Sequence, residues 1–197
     1  MSGLKKRLSS ISFVIFNYDR CVEHYLYHAL QTYYLLSANE AASVLKDLEV
    51  YHPYGTVGAL PWDSPTEAVD FGETPSATLL LHLADRIKTF TQGTDPASSN
   101  VIAIQERVRT SVTLVFLGFS FLDMNLDLLM PRQPSCQAPA EKKVFATGVE
   151  ISESDAEVIS FDLAARCGKL DPRNVAVRRN LTCGQLFHEY SRSISLR

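Results

Sequence analysis

The chain has 197 residues, 46% of them apolar, and a formal net charge of -3, values that describe one ordinary globular domain able to bury a core. They exclude a broad basic footprint for nucleic acid: Lys and Arg are scattered, and the basic cluster Lys5, Lys6 and Arg7 lies at the N-terminus, where it reads as a solvated end. The four cysteines, Cys21, Cys136, Cys167 and Cys183, form no C-x-x-C pair, which indicates neither a zinc ribbon nor a disulfide framework and points to a reducing cytoplasm.

The first element in chain order is the stretch ISFVIFNYDR, residues 11–20. An apolar, β-branched and aromatic run stops at Asn17 and is followed by Asp19, which suits a strand buried on both faces in a parallel sheet. Asn17 then stands at the strand's carboxyl end, where open α/β sheets bind their ligands. The local reading of Asp19 is a cap for the next helix. Ser9, Ser10, Asn17, Asp19 and Arg20 leave too short an uncharged run for a membrane span, and no signal peptide is read.

Val22, Leu26, Ala29, Leu30 and Tyr33 recur at helical spacing, which predicts a helix over 20–36 with one face on the sheet. His24 and His28 fall on it at i and i+4, a spacing that can hold zinc; without a third ligand they read as surface or boundary histidines. A helix over 39–48 leads into a strand over 49–52, broken by Pro53 and Gly55. Residues 54–74, with Gly58, Pro61, Pro65 and Gly72 around Trp62, read as an ordered loop. Such a loop is either a lid or a surface covering in which Trp62 plugs a gap in the core.

Leu80, Leu83, Ala84 and Ile87 predict a helix over 76–91, followed by a break at 92–96 and a helix over 97–109. The run VTLVFLGF, 112–119, is the clearest buried strand, and it runs into Ser120, Asp123 and Asn125. A short helix over 126–130, a Pro-rich connection over 131–139 and a strand over 143–148 follow. Ser152 with Asp155, and Thr182 with Gln185, have capping-box spacing at the heads of two helices, with Gly168 as the stop of the first. Between them lies a strand over 174–178; the last helix is expected to bury Leu186, Phe187, Tyr190 and Ile194. Five alternations of strand and helix argue for an α/β fold with a parallel sheet of about five strands and helices on both faces. No internal repeat and no second domain boundary are evident.

Three strand ends carry polar groups: Asn17 with Asp19, His52 with Tyr54, and Ser120 with Asp123 and Asn125. In order and character, FNYDR…E, then YHPYG, then FLGFSFxDxN, then a terminal strand followed by TCxxLFxxY, these segments resemble sirtuin-like domains of the silent-information-regulator type. They are most similar to the divergent branch found in bacterial NAD-consuming defence proteins. The resemblance covers most of the chain from about Ser12 onward. It implies a Rossmann-like sheet that binds NAD, as substrate and without a metal, and hydrolysis of its nicotinamide–ribose bond in antiviral defence. By that resemblance Asn17 orients the ribose or the attacking water, Asp19 is the acidic residue beside it, and Gly118 and Ser120 form the turn near ribose and phosphates. Asp123 and Asn125 belong to the same cofactor-binding segment.

The chemistry asks for such residues on its own terms. Cleaving an N-glycosidic bond builds oxocarbenium-like charge on the sugar, which a carboxylate stabilises while an amide holds the water. A histidine can take the proton from water or a ribose hydroxyl, an effect worth roughly 10²–10⁴-fold, and His52 is the candidate base.

Three departures from the family pattern define the alternatives. Tyr54 stands where the family has a histidine directly before glycine, and His52 lies two residues earlier, on the same face of an extended strand. No Gly-rich phosphate loop precedes Asn17, so the expectation is a single domain truncated at its N-terminus. The exposed edge left by a missing strand would favour pairing with a second copy or a companion chain. The four-cysteine zinc module of the deacylases is absent. The alternative function is therefore a degenerate, non-catalytic module that binds an NAD-like or ADP-ribose-like ligand or serves in interaction. A serine hydrolase with Ser120, Asp171 and His188 is a weaker alternative, since Leu122 replaces the second glycine of the nucleophile elbow.

Overall fold

The apolar run near the N-terminus forms β1, Ser12–Val14, which pairs in parallel with β2, Glu49–Tyr51, in the register Ser12↔Glu49 and Val14↔Tyr51. The computed structural model describes residues 2–64, 68–88, 99–132, 139, 141–168 and 170–195. Over these residues the fold is mixed α/β, with nine α-helices and two small parallel sheets, of two and three strands. Its contacts group into two compact units, Met1–Asn100 and Val101–Arg197. All five expected strands form, but they pair as two ladders and not as one five-stranded sheet. Among the described residues no helix is long and apolar enough to cross a membrane.

In the first unit β1 and β2 are joined through α2, Cys21–Tyr34, and α3, Ala38–Leu45. Ser37 and Glu40 cap α3 reciprocally, and the helix buries Ala41, Val44 and Leu45 against Leu30 of α2. It stops short of the expected residue 48, yet Leu48 stays buried because the following turn, with Leu48 N donating to the Leu45 carbonyl at 3.0 Å, folds it back onto that core. The N-terminal basic cluster is solvated at Lys6 and Arg7, as expected, but it is ordered: it lies on α1, Ser2–Leu8, whose Leu4 and Leu8 pack on the same core while Lys5 Nζ donates to Asp47 at 2.7 Å. Tyr33, expected on the buried face of α2, is 76% exposed. The helix over 76–91 is realised as α4, Ala77–Ala84, of whose expected apolar face only Leu83 is buried. The expected break at 92–96 and the start of the next helix lie outside the described residues.

The second unit has α5, Ser99–Thr110, then β3, Thr113–Phe116, α6, Asp123–Leu129, β4, Lys143–Thr147, α7, Glu153–Arg166, and β5, Val175–Arg178. Its ladder is parallel in the order β3-β4-β5, with Thr113↔Lys143 and Val144↔Val175 in register. Ile104, Val144, Leu163 and Leu186 are fully buried. The strand expected over 112–119 ends at Phe116 because the chain turns through left-handed backbone at Gly118, φ +59°, and again at Phe121, φ +55°. The last helix divides at Tyr190 into α8, Cys183–Glu189, and α9, Ser191–Ile194. Phe187, expected inside, is 43% exposed, whereas the Tyr190 ring packs on Phe145 at 4.5 Å.

Among the described residues of this second unit two cations, Lys142 and Arg166, are buried for packing. Lys142 is 1% exposed, and its ammonium donates to the carbonyls of Val108, Arg109 and Ser111, completing the hydrogen bonds that the end of α5 leaves open. Burial pushes its pKa down. Arg166, 4% exposed, donates to Asp162, Asp127, Asp123 and the Met130 carbonyl, so one guanidinium ties α7 to α6.

Candidate functional site

Parallel pairing of β1 with β2 brings both carboxyl ends to one edge, and Ile15 N extends the ladder by donating to the Tyr51 carbonyl at 2.9 Å. Asn17 and Asp19 leave one strand and His52 leaves the other. His52 Nε2 lies 2.7 Å from Glu23 Oε1, and Nδ1 lies 3.4 Å from the Asn17 carbonyl oxygen. The His52 and Glu23 side chains are only 10% and 16% exposed, while Asn17 is exposed. Asn17, His52 and Asp19 are thus neighbours.

Asp19 serves two purposes at once. Its Oδ1 accepts the Cys21 amide at 3.0 Å, which satisfies an open donor at the start of α2. That bond, with one to the Cys21 thiol, holds the carboxyl below the usual carboxylate value; burial opposes them, and the Asn17 amide and His52 add smaller downward pulls. The capping reading and the site reading of Asp19 are therefore compatible.

The loop after His52 is fixed by a close approach that only glycine permits. Gly55 has φ +85°, and a Cβ there would stand 1.9 Å from the Arg86 carbonyl oxygen. Lys88 N donates to the Tyr54 carbonyl at 2.8 Å and Val57 N to the Tyr18 carbonyl at 3.1 Å, which laces this loop to the segment after β1. Tyr54 is buried, with its ring edge-on to Phe16 at 5.8 Å. Burial pushes its phenol pKa up. Trp62 stacks on Tyr27 at 5.0 Å and packs against the α2–α3 core, as the covering reading expects.

Two residues of the cluster received no role from the sequence. Glu23 is His52's partner, and Arg20, 6% exposed, donates through Nη1 to the carbonyls of Ala59 and Val69 at 2.9 and 2.7 Å. Burial lowers the Arg20 pKa while the Glu23 charge raises it. The only available signal was their place at the head of the helix that follows Asn17, within FNYDR…E. His24 and His28 form an aromatic stack, His24 lying parallel to Phe71 at 3.9 Å and edge-on to His28 at 4.5 Å. Among the described residues no group of three or more His, Cys, Asp or Glu is placed to hold a metal.

The remaining expected residues lie in the second unit. Gly118 is exposed and its amide donates to Thr147 Oγ1 at 2.9 Å; Ser120 is exposed on the same turn. Asp123 is engaged by Arg132 and Arg166, and Asn125 is buried in the first turn of α6. A cavity of about 660 Å³ opens at the carboxyl ends of β4 and β5, lined by Ser152, Arg178, Arg179 and Asn180 among others. Its arginines each have a carboxylate partner, Glu189 for Arg178 and Glu153 for Arg179, while Arg178 Nε is buried without a partner among the described residues. The hydrolase grouping does not assemble: Arg173 grips Asp171 and holds its pKa at about 2, His188 is exposed on α8, and among the described residues no hydrogen bond joins them to Ser120.

No protein-family model, no curated protein and no solved structure matches the chain.

Proposed function

We propose that this chain is an NAD-binding domain that hydrolyses the nicotinamide–ribose bond, with the chemistry at the carboxyl ends of β1 and β2. The observation that carries this reading is the meeting of two strand ends: His52, after β2, is held by Glu23 of α2 at 2.7 Å with its other ring nitrogen facing the Asn17 backbone after β1, beside Asp19. An amide, a carboxylate and an imidazole in one place supply the three groups that glycosidic cleavage asks for. Asp19 stabilises positive charge on the departing sugar, the exposed Asn17 amide holds the water or a ribose hydroxyl, and His52 takes the proton.

The Rossmann-like arrangement implied by the sirtuin resemblance is the finer reading of the fold. Its support is the parallel pairing inside each unit. That resemblance assigns Gly118, Ser120, Asp123 and Asn125 to the cofactor; of these, Gly118 and Ser120 are exposed on a turn. A second reading, a non-catalytic binding module, is favoured by one observation: Tyr54, in the place of the family's histidine, is buried. The roles in defence and the companion chain are proposed on the resemblance alone.

The test is nicotinamide release from NAD by the purified protein, followed chromatographically beside Asn17→Ala. Release that falls by about 10²-fold or more in the variant supports the proposal. Equal background in both proteins, with ADP-ribose still bound, selects the binding module.

A further inference from the structure

We propose that Glu23 is the positioning residue of His52, fixing the imidazole in the tautomer whose Nδ1 accepts the proton. This rests on the reading of His52 as the base. The contact of 2.7 Å between Glu23 Oε1 and His52 Nε2 is a firm hydrogen-bond distance. An ionised carboxylate only accepts, so the proton of a neutral imidazole at this contact sits on Nε2. The lone pair is then on Nδ1, the nitrogen on the side of Asn17. The Asn17 carbonyl, at 3.4 Å, is too distant for a firm bond to that nitrogen. That carbonyl oxygen cannot donate, so with the proton on Nε2 the Nδ1 lone pair calls for a donor, which a water or a ribose hydroxyl supplies.

The support behind Glu23 is rigid. Glu23 sits in the first turn of α2, and His52 directly follows β2, so each partner is carried by regular structure. Both side chains are largely shielded, which leaves their attraction weakly screened. Arg20, clamped by two carbonyls, sets a fixed positive charge near the carboxylate and draws on it electrostatically. Arg20 Nε and Glu23 Oε2 are both buried without a hydrogen-bond partner among the described residues. A carboxylate wanted only to favour the start of α2 would gain as much exposed to solvent; burial against one nitrogen of one imidazole is the arrangement that selects a tautomer.

The experiment uses the full chain labelled with ¹⁵N-histidine and reads the tautomer by long-range ¹H–¹⁵N correlation near neutral pH. The chain has five histidines, and the His52 signals are those missing from His52→Gln. The expected result is a His52 ring protonated at Nε2 and bare at Nδ1 in the native protein, with that preference lost in Glu23→Gln. Glu23→Asp, which keeps the carboxylate, is expected to retain part of it. Nicotinamide release should fall about 10–100-fold in Glu23→Gln, the range carried by outer carboxylate partners of histidines in metal sites. A native His52 protonated at Nδ1, or a tautomer indifferent to Glu23→Gln, would overturn the proposal. The native spectrum alone decides this if the variant does not fold. A tautomer that depends on Glu23, in a protein releasing no nicotinamide, would reject the proposed activity and leave the positioning role standing.

Discussion

Among the described residues each unit buries one arginine, and the two are used differently. Arg166 spends its donors on Asp162, Asp127, Asp123 and the Met130 carbonyl, so its charge is matched on every side and α6 is locked to α7. Arg20 has two carbonyl partners through Nη1, an Nε with none among the described residues, and a carboxylate nearby whose second oxygen is likewise unmatched. Buried polar groups are normally satisfied, and leaving one unpaired costs about 1–3 kcal/mol. Arg166 thus shows buried charge used for packing, although Arg178 in the same unit keeps one buried nitrogen, Nε, without a partner among the described residues. Arg20 shows buried charge held incompletely satisfied beside the ends of β1 and β2.

The comparison can be broken most forcefully at Gly55. Replacing it with alanine forces a side chain into left-handed backbone and sets Cβ 1.9 Å from a carbonyl oxygen that no rotamer change can move. A loss of about 3 kcal/mol or more is expected, read as a fall in the denaturation midpoint. Arg166→Met comes next. It strands the buried Met130 carbonyl and releases three carboxylates, two of them more than half exposed, which points to about 2–3 kcal/mol and a Tm lower by roughly 4–12 °C.

Arg20→Met sharpens the contrast. With two backbone carbonyls losing one donor, its stability cost is expected at about 1–2 kcal/mol. Nicotinamide release per folded molecule should fall beyond what the lost stability explains, because the charge near Glu23 goes with it.

The smallest effect is expected at Asp19. Its folded pKa is depressed below the ordinary 3.8 by the Cys21 bonds. Its contribution to stability is therefore complete above that ordinary value and is lost as pH falls through the depressed one. Asp19→Asn should flatten stability against pH in that acidic window and leave the slope at neutral pH unchanged, as measured by urea unfolding at a series of pH values.

What could be seen in the sequence was local. The apolar runs at β1 and β3 and the caps at Ser152 and Thr182 are written within a few residues, and each appears where expected. Which strand joins which ladder depends on packing between distant segments, so five strands could be counted while their division into two and three could not. The same holds for the buried cations: Lys142 caps a helix more than thirty residues upstream, and Arg166 meets Asp127 thirty-nine residues away. At the site, Asn17, Asp19 and His52 were visible as polar residues ending apolar runs. The Glu23–His52 contact was not, because it exists only once β1 and β2 lie side by side.

The most direct measurement compares nicotinamide release from NAD, per mole of folded protein, for the native chain, His52→Ala and Arg166→Met. With chemistry at the ends of β1 and β2, His52→Ala should lose about 10²-fold or more, while Arg166→Met, which lowers stability and frees Asp123 of one partner, should lose far less per folded molecule. Native-level release by His52→Ala, or no release above background by the native protein, would contradict that placement.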